Sequence, residues 1–99
     1  MTEADADARL KKLKFRAWRR GFREADLILG PFADQHLDAY SAAELDAFEA
    51  LLETPDQDLY GWIIGREPPP PAHDGPVLRA VMAFREQAHL GRPLEERGA

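Results

Sequence analysis

A chain of 99 residues, with 44% hydrophobic and 31% charged side chains, supports one domain with a modest core and is too short for two. Apolar runs such as Trp62-Ile63-Ile64 fall far short of the roughly 20 residues that a bilayer crossing needs, so membrane insertion is not expected. The net charge of −5 hides a strong polarity: residues 1–8 carry −3, residues 9–23 carry +8 with no acid among them, and residues 24–99, with five basic and fifteen acidic side chains, carry −10.

From about Asp5 to Arg20, Leu10, Leu13 or Phe15, and Ala17 or Trp18 recur at helical spacing among good helix formers, which predicts a first helix. Phe15 and Trp18 are spaced as a core-facing pair. Arg19 and Arg20 then fall in the last turn, where cations suit the helix dipole, and Gly21 can adopt the left-handed conformation that closes many helices.

A second helix is predicted from about Phe22 to Leu37, with Phe22, Ala25, Leu29, Phe32 and His36 on one stripe and Glu24 and Asp26 in the first turn. His36 reads as a packed residue on that stripe. Gly30-Pro31 lies inside this helix, and a proline there removes a backbone donor, so a kink or break is expected. Ser41-Ala42-Ala43-Glu44 has capping-box spacing and opens a third helix with Leu45, Phe48, Leu51 and Leu52 inward. Thr54-Pro55-Asp56 ends it and starts a short fourth, with Thr54 or Asp56 as the cap and Leu59, Trp62 and Ile63 on one face. Pro68 to Pro71 reads as a stiff extended spacer, after which Asp74-Gly75-Pro76 opens a last helix that ends at Leu90-Gly91.

Isolated helices below about 12–15 residues are marginal in water, so these five must share a core. The expected fold is all-α, a compact bundle of about five short helices forming a single domain over residues 1–99, with frayed termini at about 1–6 and 92–99. A monomer is the expected state.

The catalytic inventory is thin. There is no cysteine, hence no thiolate metal site, iron–sulfur cluster or thiol nucleophile, and His36, His73 and His89 lack ligand-like spacing. No phosphate loop or nucleophile elbow occurs. The pairs Glu49/Glu53 and Asp56/Asp58 read as solvated helix faces, and Trp62 reads as core. Neither an enzyme nor a metal site is expected, and an acidic N-terminus without an apolar h-region points to the cytoplasm.

Two features invite a functional reading. The basic stretch 9–23, with Phe15 and Trp18 interleaved, has the ingredients of a nucleic-acid-binding helix, but a −10 remainder would repel a polyanion and an acidic protein partner fits as well. The second is Arg20-Gly21-x-x-Glu24, where a basic helix end, a glycine corner and a first-turn carboxylate crowd into five residues. Such a corner lets another backbone approach, with Arg20 as donor fork and Glu24 as acceptor; a plain C-cap with a helix-dipole pair accounts equally for the spacing.

The run from Arg19 through Asp26, followed by Leu27-Ile28-Leu29-Gly30-Pro31-Phe32-Ala33, resembles the signature of the succinate dehydrogenase assembly factor family, the small flavinylation factors. Phe48 to Glu53, Pro55 to Trp62 and Gly65-Arg66-Glu67 resemble its second block in order and spacing, so the resemblance covers roughly residues 9–68. It implies a five-helix protein that binds the flavoprotein subunit of succinate dehydrogenase, and often that of fumarate reductase, and promotes covalent attachment of FAD to a histidine there. The bond would form within the flavoprotein, by attack of the histidine on the flavin 8α-methyl carbon, and the factor would act as a chaperone with no permanently bound cofactor. Arg20, Gly21 and Glu24 occupy the family's Arg-Gly-x-x-Glu positions facing the flavoprotein. Arg19 and Asp26 would flank that contact and Phe22 would anchor it. Phe22 in place of a frequent Met, a small Ala25 and the four-proline run depart from the family pattern. The alternatives are a nucleic-acid-binding or generic protein-interaction module using residues 9–23.

Overall fold

In the computed structural model, which describes residues 3–97, the chain is about 74% helical, with five α-helices, and no strand occurs among the described residues. They are α1 (Glu3–Trp18), α2 (Arg23–His36), α3 (Ala42–Leu52), α4 (Asp56–Ile63) and α5 (Pro76–Arg97), with a single 3-10 turn at Leu37–Ala39 after α2. Residues 1–2 and 98–99, the outermost parts of the termini expected to fray, lie outside the described residues. No described helix is long and apolar enough to cross a membrane.

Every helix contributes to one core. Phe32 of α2 sits fully buried at its centre, its ring stacked on Phe48 of α3 at 5.9 Å and met edge-on by Phe84 of α5 at 5.6 Å. His36, one turn on, stacks against Phe32 at 4.5 Å, so it is packed as its place on the stripe predicts. Ala17 of α1 and Ala25 of α2 are both wholly buried in this core. The expected capping box is formed: Ser41 Oγ accepts from the Glu44 amide while the Glu44 carboxylate accepts from the Ser41 amide.

Four expectations change. Helix α1 ends at Trp18 rather than Arg20, for a reason found in the corner described below. Helix α2 runs through Pro31 without the break that was one of the two outcomes expected there; the carbonyl that loses its helical donor belongs to Leu27, an exposed residue. Helix α4 is preceded by Pro55 and has no side-chain cap: the Thr54 hydroxyl instead donates back to the Ala50 carbonyl, and Asp56 is the first helical residue. Helix α5 continues past Leu90-Gly91 to Arg97, since one glycine costs a helix only about 1 kcal/mol.

Phe15 and Trp18 are not the core-facing pair their spacing suggests. Phe15 is 59% exposed and Trp18 41% exposed, because Leu13 and Ala17 already fill the inward side of α1. The Trp18 indole lies across Gly30 of α2, where a Cβ would overlap its ring, and its Nε1 donates to Asp34 at 3.2 Å. Gly30 thus serves as the seat of a large side chain. Trp62, by contrast, is core as predicted, with His73 of the proline-rich loop stacked on it at 5.3 Å.

Candidate functional site

The turn between α1 and α2 is built by three locks. Gly21 takes φ of +93°, a conformation that L side chains rarely adopt, and so allows the chain to reverse within four residues. The Arg20 amide, which in a continuing helix would bond the Arg16 carbonyl, donates instead to Asp26 Oδ1 at 3.0 Å; this ends α1 early and ties it to the first turn of α2. The third lock is the Arg20 guanidinium. It is 8% exposed and reaches away from the corner: Nε and Nη2 meet Asp56 Oδ1 at 2.8 and 2.6 Å, Nη1 donates to the Leu52 carbonyl at 2.5 Å, and Nη2 to the Thr54 carbonyl at 2.6 Å. Leu52 and Thr54 lie where α3 has run out of intrahelical donors, so one side chain satisfies two orphan carbonyls and holds the α3–α4 junction against the corner.

Phe22, half-buried, meets the Tyr60 ring edge-on at 5.1 Å and fastens the corner to α4. What remains outside is the Gly21 backbone and the Arg19, Arg23 and Glu24 side chains, all exposed. A Cβ at Gly21 would meet nothing within 4 Å, so the glycine is demanded by its backbone angle and faces open space. The six residues singled out from the sequence therefore divide. Arg19, Gly21 and Glu24 present a surface; Arg20, Phe22 and Asp26 set its shape, and the donor fork of Arg20 is used within the chain.

Beside the corner opens a cleft of about 250 Å³ lined by Phe15, Arg16, Arg19, Arg20, Leu52 and Asp56. The Arg19 guanidinium covers the exposed Phe15 ring at 4.8 Å from its centroid. Along α1, Arg9 bonds Asp46 at 2.6 Å and Glu49 at 3.0 Å, Arg16 shares Glu49 at 3.5 Å, and Lys14 pairs with Asp38 at 3.0 Å. Glu49 and Asp56 are thus ion-pair partners of the basic stretch, not the solvated carboxylates expected from spacing. With Arg20, four of the eight cations in residues 9–23 are neutralised by later acids, while Lys11, Lys12, Arg19 and Arg23 make no ion pair among the described residues.

A family model described as flavinator of succinate dehydrogenase matches residues 11–85. This chain belongs to that family. It is 39% identical over 82 residues to the FAD assembly factor SdhE of Acetobacter pasteurianus, covering 83% of this chain and 75% of that protein. With the FAD assembly factor SdhE of Vibrio cholerae the identity is 40% over 65 residues, 66% of this chain and 71% of the relative. The mitochondrial succinate dehydrogenase assembly factor 2 of Schizosaccharomyces pombe is 38% identical over 79 residues, 79% of this chain, but the match spans only 57% of that protein. No solved structure matches.

The size of the cleft is informative. At about 250 Å³ it lies below the roughly 300–1,000 Å³ of pockets that enclose drug-sized ligands, and FAD is larger than most of those. The cleft does not fit a flavin. Among the described residues no group of three or more His, Asp or Glu side chains is placed to hold a metal ion. Sequence reasoning missed Asp56, Phe15 and Arg16 as parts of this region. For Asp56 the available signal was its place in the second family block beside a proline turn; for Phe15 and Arg16 there was none beyond their neighbourhood.

Proposed function

We propose that this chain is an assembly factor that binds the flavoprotein subunit of succinate dehydrogenase, with that of fumarate reductase as a second client, and promotes covalent attachment of FAD to it, acting as a cytoplasmic monomer. The observation that carries this reading is the corner itself: an exposed glycine backbone with open space above it, flanked by Arg19 and Glu24 and made rigid from behind by Arg20 and Asp26. A partner's backbone can approach Gly21 closely, and the flanking charges fix its register. Family membership supports the flavoprotein as the partner.

On this reading the chain donates no catalytic group. The flavin belongs to the partner, and covalent attachment is the chemistry it undergoes there. This chain holds mobile elements of the flavoprotein so that histidine and flavin meet in a reactive geometry, a contribution that lowers a barrier without any proton or electron passing through the helper. The rigidity of the corner serves this purpose, because a flexible template would not restrict its client.

The pairing of Arg9, Lys14, Arg16 and Arg20 with acids of the same chain favours a protein partner over nucleic acid, since half of the positive stretch is unavailable to phosphates. The test is covalent flavin on the host's succinate dehydrogenase flavoprotein, read by in-gel fluorescence after denaturation, with the chain present, absent, or carrying Gly21→Arg. Flavinylation should fall without the chain and stay low with the folded variant. Equal signal in all three rejects the assembly reading, and binding to random duplex at low salt then becomes the next measurement.

A further inference from the structure

We propose that the cleft between α1 and the α3–α4 junction seats an acidic side chain of the partner protein, a Glu or Asp, gripped by Arg19. The proposal rests on the flavoprotein reading for the partner's identity and adds a second contact beside the Gly21 corner. Three guanidinium groups and one carboxylate line the cleft, leaving it with excess positive charge. Those three arginines are not equivalent. Arg20 is saturated by Asp56 and two carbonyls. Arg16 has the longest of the ion pairs along α1, 3.5 Å to a Glu49 that Arg9 also engages. Arg19 has no acidic partner among the described residues.

The geometry of Arg19 fits a carboxylate. Its guanidinium carbon lies over the Phe15 ring, 4.8 Å from the centroid, a contact that restrains the side chain. Its N–H donors meet no acidic partner among the described residues and can make a bidentate contact, the arrangement in which guanidinium and carboxylate match best. Phe15 and Leu52 supply apolar walls against which the methylene groups of an acidic side chain pack. Asp56 on the opposite wall disfavours a doubly charged phosphate while tolerating a single carboxylate, and the small volume suits a side chain better than a free cofactor. Continuity with the exposed corner makes the occupant part of the same partner.

The test is calorimetric titration of the purified flavoprotein subunit with the wild-type chain, Arg19→Glu, Phe15→Ala and Lys12→Glu. Lys12 is exposed, outside the cleft and on α1, so its reversal changes net charge by the same amount as Arg19→Glu. Arg19→Glu should raise Kd about tenfold or more, Phe15→Ala several-fold, and Lys12→Glu less than about threefold. Thermal unfolding of each variant checks that the fold is kept. Wild-type binding with no loss for Arg19→Glu overturns the cleft and leaves the assembly reading intact. Equal losses for Arg19→Glu and Lys12→Glu also overturn it, because diffuse attraction would then be the cause. Absence of wild-type binding rejects both readings together.

Discussion

Arg20 and Asp56, 36 residues apart in sequence, are joined by two guanidinium nitrogens meeting one carboxylate oxygen. The pair links the α1–α2 corner to the start of α4, and the same guanidinium binds the carbonyls of Leu52, the last residue of α3, and of Thr54 just beyond it. Arg20→Ala would leave two buried carbonyls and a carboxylate without donors. The expected loss is about 2–3 kcal/mol by urea titration, less than for a fully buried pair because Asp56 is 39% exposed. Arg20→Lys should recover only part of it, since a single ammonium cannot reach three acceptors in a plane. Wild-type stability in Arg20→Ala would contradict this assignment.

Gly21 separates conformation from contact. Gly21→Ala meets no atom, so its cost is the backbone strain of a positive φ alone, about 1–2 kcal/mol. Gly21→Asn, with a side chain that tolerates the left-handed region, should be milder in the same chemical denaturation experiment. If Ala and Asn are equally neutral, the angle does not constrain this position.

Gly30 offers a test of packing. Gly30→Ala gains helix propensity but drives a methyl group into the Trp18 indole, and we expect a net loss of roughly 1 kcal/mol together with a red shift of tryptophan fluorescence as the ring is displaced. Combining it with Trp18→Leu should restore most of the stability. An unshifted spectrum in the single variant would show that the ring does not lie across α2.

Tyr40, half-buried and edge-on to Phe32, has its phenol pKa raised above the ordinary 10.0, first by burial and then by the nearby Glu44 charge. The folded state therefore holds this proton more tightly than the unfolded one. Its contribution is present below about pH 10 and is lost as pH rises from there through the folded-state value. Tyr40→Phe should show a shallower fall in unfolding free energy above pH 10.0 than wild type. Parallel curves would remove Tyr40 from the alkaline transition.

The features legible in the sequence are those set by neighbours along the chain. Ser41 and Glu44 cap α3 through atoms three residues apart, and Gly21 is marked by the change from one amphipathic helix to the next. The end of α1 was less legible because it depends on Asp26, which takes the Arg20 amide from across the corner. Phe15 and Trp18 misled because size suggests burial, whereas the inward arc of α1 is narrow and Leu13 and Ala17 fill it. The Arg20–Asp56 pair could not be read at all: nothing local distinguishes an arginine that points outward from one that folds back onto a helix two elements later.

The Arg20 clasp also limits how far this corner can be transplanted. A peptide spanning residues 9–26 would contain every residue of the Arg-Gly-x-x-Glu stretch yet lack the carbonyls of Leu52 and Thr54 and the carboxylate of Asp56. Its arginine would swing free and its glycine would sample many angles. The motif is a short string in the sequence, but as a shaped object it is the property of two distant chain segments, and only a scaffold that supplies both can carry it.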